Sequence, residues 1–309
     1  MKKVAFIFPG QGSQSVGMGK DFFENSDIAK EMISEANKRL NIDFEKLLFE
    51  ENDNLGKTEY TQPAILLVSS IAHAIFKDKC DIEPEFVLGH SLGEFSALVA
   101  AGGLNYLDAI ELVNKRGQFM NEACAGGGAG MMALVGMDDE SVEKICDEQR
   151  DAGKKVWPAN YNMDGQLVLA GIKADLESLV DTFKEAGAKR AIVLDMSVAS
   201  HCELLTSAVE NLKPYLEEYL NDEFSSIISN VTAQAYSTKD EAIELLSSQL
   251  TSPVKYKQSV AANADKVDMF IEFGNGIVLK GLNRKICKGT PTVNVSDMAS
   301  LEKVLEEIN

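Results

Sequence analysis

Glu85-Phe86-Val87-Leu88 runs directly into Gly89-His90-Ser91-Leu92-Gly93, and a helical pattern follows as far as Gly102-Gly103. The short apolar run reads as a buried strand. G-x-S-x-G between a strand and a helix is the pattern of a nucleophile elbow. Its glycines permit a tight strand-to-helix turn, which pushes the Ser91 hydroxyl clear of the backbone. The helix N-terminus then stabilises negative charge beside it. The backbone N–H of Leu92, the next residue, is a natural donor to an oxyanion. The same five residues also suit Ser91 as a plain helix cap. The strand–turn–helix context favours the nucleophile.

On the N-terminal side, a first strand at Val4–Phe8 enters a glycine-rich turn, Pro9-Gly10-Gln11-Gly12-Ser13-Gln14. The turn lacks both G-x-x-x-x-G-K-[ST] and G-x-G-x-x-G, so it is a poor phosphate loop. At the carboxyl end of a strand in an open α/β sheet it lies where ligands bind. Its amides are candidates for the other half of an oxyanion hole. Helical patterns cover Asp27–Leu40 and Gln62–Lys77, and Asn105 caps a helix reaching about Ala123.

Gly126-Gly127-Gly128-Ala129-Gly130 is the sharpest break in the chain. Beyond it the pattern reads as strand Met131–Val135, helix Asp139–Arg150, strand Lys155–Tyr161, turn Asn162–Gly165, strand Gln166–Gly171, helix Ala174–Ala186 and strand Arg190–Leu194. That order, βαββαβ, is the ferredoxin-like unit. From Ser200 a helix-rich pattern returns, with strands at Phe270–Phe273 and Pro291–Val295 and a last helix at Asp297–Ile308. The expected architecture is α/β. A large domain with a parallel sheet spans residues 1–125 and 198–309, and an inserted ferredoxin-like subdomain spans 126–197.

Composition excludes several classes. The chain has 309 residues, 30 Lys+Arg against 48 Asp+Glu, and a formal net charge of −18. Such an acid excess argues against a generic nucleic-acid binder. No apolar run approaches the ~18 residues of a membrane span. Met1-Lys2-Lys3 precedes an apolar stretch that a Pro-Gly turn soon ends, which reads as a strand rather than a signal peptide. The five cysteines, at 80, 124, 146, 202 and 287, show no C-x-x-C spacing and read as reduced thiols of a cytoplasmic protein. His and Cys never cluster at metal-ligand spacing, so no metal is expected.

A serine nucleophile needs a base, and the chain has three histidines. His73 sits in Ile71-Ala72-His73-Ala74-Ile75-Phe76, a helix face suited to packing. His90 adjoins the nucleophile, but the elbow turns its side chain away. His201, in Ser200-His201-Cys202, remains as the base by elimination; the rival reading is an exposed histidine at a helix start. Arg116, in Asn114-Lys115-Arg116-Gly117-Gln118, reads on its own as a surface residue. Its planar guanidinium acquires meaning if the substrate carries a carboxylate.

Several motifs occur together and in order: Phe8-Pro9-Gly10-Gln11-Gly12-Ser13-Gln14, Gly89-His90-Ser91-Leu92-Gly93-Glu94-Phe95-Ser96-Ala97-Leu98, Arg116-Gly117, Ala159-Asn160-Tyr161-Asn162, Ser200-His201-Cys202, Gln249-Leu250-Thr251-Ser252-Pro253-Val254 and Glu272-Phe273-Gly274-Asn275-Gly276. The ordered set spans nearly the whole chain. It resembles the malonyl-CoA:acyl carrier protein transacylase family of bacterial fatty acid synthesis. The resemblance implies an α/β-hydrolase-like large domain with a ferredoxin-like insert. It implies transfer of malonyl from malonyl-CoA to the phosphopantetheine thiol of acyl carrier protein, with no cofactor. Ser91 would be the nucleophile and His201 the base, then acid. The amides of Gln11 and Leu92 would form the oxyanion hole, and Arg116 would hold the malonyl carboxylate. The backbone carbonyl of Gln249 would orient His201. Asn160 and Asn162 would line the cleft, their rival reading being a turn before a hairpin.

Phe95 stands where the family often has Tyr, and Ala199-Ser200-His201 resembles part of a larger-acyl pattern in related polyketide acyltransferases. An acyltransferase for another acyl-CoA is therefore one alternative. A serine esterase or thioesterase is another, with Asp195 the nominal acid between Ser91 and His201. A catalytically dead carrier-binding scaffold is a third. An acidic carrier protein must find local positive charge on this acidic enzyme. The segment Lys255–Lys288 holds an excess of four positive charges, and Lys255, Lys257, Lys280, Arg284, Lys285 and Lys288 form the candidate patch, with Lys189 and Arg190 as further candidates. A solvated mixed-charge face is the competing reading. The chain is expected to act as a monomer.

Overall fold

The structure, a computed structural model, describes residues 2–196 and 198–308. Residue 197, at the expected second boundary of the insert, lies outside the described residues, as do residues 1 and 309. Among the described residues ten strands form: β1 (Val4–Phe8), β2 (Phe86–Gly89), β3 (Ala129–Val135), β4 (Val156–Met163), β5 (Gln166–Ile172), β6 (Arg190–Val193), β7 (Glu223–Ile228), β8 (Ala235–Thr238), β9 (Met269–Phe273) and β10 (Thr292–Val295). They make two sheets, a six-stranded one ordered β10-β9-β1-β2-β7-β8 and a four-stranded one ordered β4-β5-β3-β6.

Every residue of β1, β2 and β9 is buried. Strands covered on both faces by helices read as continuous apolar runs, and those are the strands legible in the sequence. β10, β9, β1, β2 and β7 run parallel, whereas β8 pairs antiparallel with β7 at the edge. β7 and β8 do not stand out from the helix-rich pattern read after Ser200. In β7 only Ile227 and Ile228 are buried, and an edge hairpin with so small an apolar face leaves a weak signal. Behind β1, Phe6 packs edge-to-face on Phe273 at 5.0 Å and on His73 at 5.6 Å. Burial there lowers the His73 pKa to about 4, which suits a neutral packing role.

The smaller sheet is antiparallel throughout and has the ferredoxin-like strand order. The single helix expected over 174–186 is two, Lys173–Ser178 and Val180–Glu185. They are separated at Leu179, whose ψ of −4° opens the ladder by one residue while its carbonyl still accepts from Phe183 at 3.0 Å. These helices cover one face of the small sheet. Met131, Ala159 and Ala170, on the other face, join the core of the large domain. β4 also lies along Val254 of the large domain: Tyr161 N–H donates to Val254 O at 2.9 Å, and Val254 N–H donates to Ala159 O at 2.8 Å.

The helix expected from Gln62 begins earlier, at Thr58, and runs to Lys79 with Pro63 inside it. Proline has no N–H to give the carbonyl of Glu59. Asn114 Nδ2 takes that carbonyl at 2.7 Å, tying this helix to Tyr106–Cys124, the helix that carries Arg116.

Candidate functional site

Ser91 sits between β2 and the helix Gly93–Ala100 with φ 52°, a left-handed conformation rare for a side-chain-bearing residue. The turn is so tight that a Cβ on Gly89 would lie 1.9 Å from the Gly93 carbonyl carbon, and one on Gly93 would lie 2.0 Å from Phe8 O. The G-x-S-x-G spacing is thus a steric requirement of the elbow. The Ser91 backbone is held on both sides. Its N–H donates to Asn230 Oδ1 at 2.7 Å, and its carbonyl accepts from Gln249 Nε2 at 3.1 Å.

Ser91 Oγ lies 2.7 Å from His201 Nε2, and His201 Nδ1 lies 2.7 Å from the backbone carbonyl of Gln249. A carbonyl only accepts, so Nδ1 carries the hydrogen and the Nε2 lone pair faces the serine. Burial, with the Arg116 charge nearby, lowers the His201 pKa to about 3, although the Gln249 carbonyl opposes the shift. The imidazole is therefore neutral at physiological pH, as a base must be. The exposed carboxylate of Asp195 makes no hydrogen bond to His201; the Gln249 carbonyl occupies Nδ1 instead. The backbone N–H groups of Leu92 and Gln11 meet no acceptor among the described residues, and both residues line the same cavity as Ser91. Two unspent amides beside a nucleophile can stabilise an oxyanion.

Arg116 is 2% exposed, far from the surface setting its sequence neighbourhood suggests. Nη1 donates to Gln62 Oε1 at 2.8 Å and Nη2 to Gln249 Oε1 at 3.1 Å, both neutral amides. Nε is buried without a partner, and the guanidinium stands 5.4 Å from the centre of the Phe95 ring. Burial lowers the Arg116 pKa to about 10, partly offset by Glu94, so the group stays cationic at neutral pH. A buried cation held by neutral partners at a cavity wall is a receptor for an anion.

The cavity, about 440 Å³, is lined by Gln11, Ser91, Leu92, Arg116 and His201 from the large domain and by Asn160, Asn162 and Val168 from the small sheet. His90 turns away from Ser91 and places Nε2 2.8 Å from Asn162 Oδ1, with its ring 5.3 Å from that of Tyr256. Burial lowers the His90 pKa, so a neutral ring donates this bond and leaves the Asn162 amide nitrogen free. Glu94, Asn230 and Gln62 also build the site, and sequence reasoning assigned them no role. Asn230 lies 139 residues from Ser91, and no local spacing links the two.

Not all six basic residues of the candidate patch are free. Lys257 is ion-paired with Asp139 and with Asp164, the latter at 3.1 Å, and Lys280 donates to Asn294 at 3.1 Å. Arg284, Lys285 and Lys288 are exposed, and Lys255 is half-buried. Among the described residues no group of His, Cys, Asp and Glu is arranged to hold a metal ion, and no helix is long and apolar enough to cross a membrane.

A strained serine, a neutral imidazole and a buried cation facing one cavity define a site for acyl chemistry on an anionic group. The chain belongs to the acyl transferase domain family, whose profile matches residues 5–285. It is 42% identical over 311 residues to the malonyl CoA-acyl carrier protein transacylase of Bacillus subtilis, covering 100% of this chain and 98% of that one. Among solved structures it resembles the malonyl-CoA:acyl carrier protein transacylase of Helicobacter pylori, with a TM-score of 0.96, 46% identity and coverage of 100% and 99%. It also resembles a malonyl-transacylase solved in complex with its type II polyketide synthase acyl-carrier protein, with a TM-score of 0.95, 36% identity and coverage of 99% of both chains.

Proposed function

We propose that the protein transfers the malonyl group of malonyl-CoA to the phosphopantetheine thiol of acyl carrier protein, supplying fatty acid synthesis. The observation that carries this reading is Arg116, a buried cation without a direct carboxylate partner, in the cavity that holds the Ser91–His201 pair. Ser91 Oγ attacks the thioester carbonyl while His201 Nε2 takes its proton. The tetrahedral oxyanion rests on the Leu92 and Gln11 amides, and the Gln249 carbonyl steadies the imidazolium that forms. The C–S bond breaks, the CoA sulfur takes the proton from His201, and malonyl-Ser91 remains. The carrier thiol then gives its proton to His201 and attacks the ester, the acyl C–O bond breaks, and Ser91 Oγ takes the proton back from His201 as malonyl-carrier leaves. A thioester and a serine ester exchange acyl groups directly, so the reaction needs no cofactor.

Arg116 grips the free malonyl carboxylate and sets the acyl group's orientation. Asn160 and Asn162, on the subdomain of residues 126–197, close the cleft over the thioester arm. The acidic carrier docks on exposed Arg284, Lys285 and Lys288, with Lys255 at the margin, which supply local attraction on a chain of net charge −18. Free thiols at all five cysteines suit work in the reducing cytoplasm. The pieces of the site come from one chain, which acts as a monomer.

Initial-rate kinetics with both substrates test the reading. Parallel double-reciprocal lines, with CoA competing against the carrier, are expected for a ping-pong transferase. Release of free malonate at the rate of CoA release, with or without carrier, would instead identify a hydrolase.

A further inference from the structure

Glu94 lies one turn after the nucleophile, 1% exposed, and its three hydrogen bonds go to neither His201 nor Arg116. Its carboxylate takes three donors. Oε2 accepts from Gln249 Nε2 at 2.7 Å and from the Asn230 backbone N–H at 3.1 Å, and Oε1 accepts from Tyr236 Oη at 2.9 Å. Two of those partners lead straight to the reacting groups. Asn230 Oδ1 accepts from the Ser91 N–H and Asn230 Nδ2 donates to Gly89 O, both at 2.7 Å, bracketing the strained turn. Gln249 Nε2 donates to Ser91 O, while its Oε1 accepts from Arg116 and its backbone carbonyl accepts from His201 Nδ1. Gln249 and Asn230 are both fully buried, so no water can replace a lost partner.

We propose that Glu94 is a positioning residue for acyl transfer, acting through Gln249 and Asn230 to hold the Ser91 backbone, the His201 imidazole and the Arg116 guanidinium in one arrangement. In chain order it is the acid of a serine–acid–histidine series, but it reaches the histidine through the peptide of Gln249. The carboxylate matters as such, because all three of its partners are donors. A glutamine at this place loses the negative charge and keeps one acceptor oxygen for Gln249 and the Asn230 N–H, which weakens both bonds, and its N–H₂ forces the Tyr236 hydroxyl to turn and accept. Burial raises the Glu94 pKa to about 7 against its three donors and Arg116, so the ionised form, one amide away from the buried Arg116, gains weight above neutral pH and there offsets part of the cost of burying that charge. The inference rests on the malonyl-Ser91 reading above.

The test is Glu94→Gln, read by single-turnover malonylation and acetylation from the respective CoA thioesters and by labelling with a fluorophosphonate, which has no carboxylate for Arg116. The expected result is a malonylation rate at least about tenfold lower, slower labelling, and a malonyl-to-acetyl ratio lower by about fivefold or more, in a protein that still melts cooperatively. A purely structural role would slow all three alike and leave the ratio unchanged. A folded Glu94→Gln protein with the wild-type malonyl-to-acetyl ratio overturns the proposal, whatever its labelling rate. If that variant does not fold, Gln249→Leu serves. It keeps the backbone carbonyl that holds His201, so the malonyl-to-acetyl ratio should fall, and an unchanged ratio overturns the proposal. Wild-type protein that takes no malonyl group on Ser91 would instead defeat the underlying functional reading.

Discussion

The two walls of the cleft are built on different plans. On the large-domain wall the reacting side chains are tied to one another: Ser91 to His201 and Asn230, His201 to Gln249, and Arg116 to Gln62 and Gln249, while the Leu92 and Gln11 amides and Arg116 Nε are left open among the described residues. The wall from the small sheet offers Asn160 and Asn162, and only the second is held across the cleft, by His90. The insert is fastened to the large domain by backbone pairing of Asn160 and its neighbours with Val254, and through Lys257 with Asp139 and Asp164. Reactive groups need fixed geometry and so occupy the wall with the shared hydrogen-bond network. The other wall has only to close over a substrate, and fewer bonds suffice.

This division orders the expected effects of substitution. Ser91→Ala should lower malonyl transfer by about 10⁴-fold or more and abolish the adduct, as loss of a nucleophile does elsewhere; steady-state assay and mass spectrometry check it. Arg116→Ala should cost about 10- to 150-fold in kcat/KM for malonyl-CoA, the worth of charge-assisted hydrogen bonds, while sparing acetyl-CoA. Equal losses for both donors would remove the clamp. Asn162→Ala, on the opposite wall, should raise the KM for malonyl-CoA by about 2- to 12-fold with kcat nearly unchanged. A loss of kcat on the scale of Ser91→Ala would show that the two walls share the chemistry. Reversing Lys285 and Lys288 to Glu should have the smallest effect, a severalfold rise in KM for acyl carrier protein and none for malonyl-CoA.

The large-domain wall also makes stability depend on pH. His201 falls from an ordinary value of 6.5 to about 3 in the folded protein. Its neutral form therefore contributes stability that is complete above pH 6.5 and is lost as pH falls toward 3, because the unfolded chain takes up the proton first. The stability advantage of wild type over His201→Phe should shrink across that window, by at most about 1.4 kcal/mol per pH unit. Urea titrations at pH 8 and pH 5 measure it, and a constant gap would contradict the neutral, buried imidazole.

Local sequence carried the fold class and the elbow, since burial on both faces writes itself into β1, β2 and β9 as apolar runs, and a tight turn demands glycine at 89 and 93. Elimination among three histidines is enough to nominate His201. Arg116 gives no local sign of burial. Its setting depends on Asn114 capping a carbonyl that Pro63 leaves free on another helix, which is a tertiary event. The contact of Gln249 with His201 is made by a backbone carbonyl, which every residue type possesses, so composition cannot reveal it without the family resemblance. Glu94 and Asn230 meet across 136 positions, and β7 and β8 form a partly exposed edge with little periodicity. Charge counting along the chain likewise overstated the basic patch, because it does not see that Lys257 is neutralised by acids of the insert.

Intact-mass spectrometry after mixing the protein with malonyl-CoA alone tests the central claim most directly. A single malonyl adduct on wild type, absent from Ser91→Ala, much weaker with acetyl-CoA and discharged by holo-acyl carrier protein, is the predicted result. An adduct that persists in Ser91→Ala, or one that the carrier cannot discharge, would contradict it.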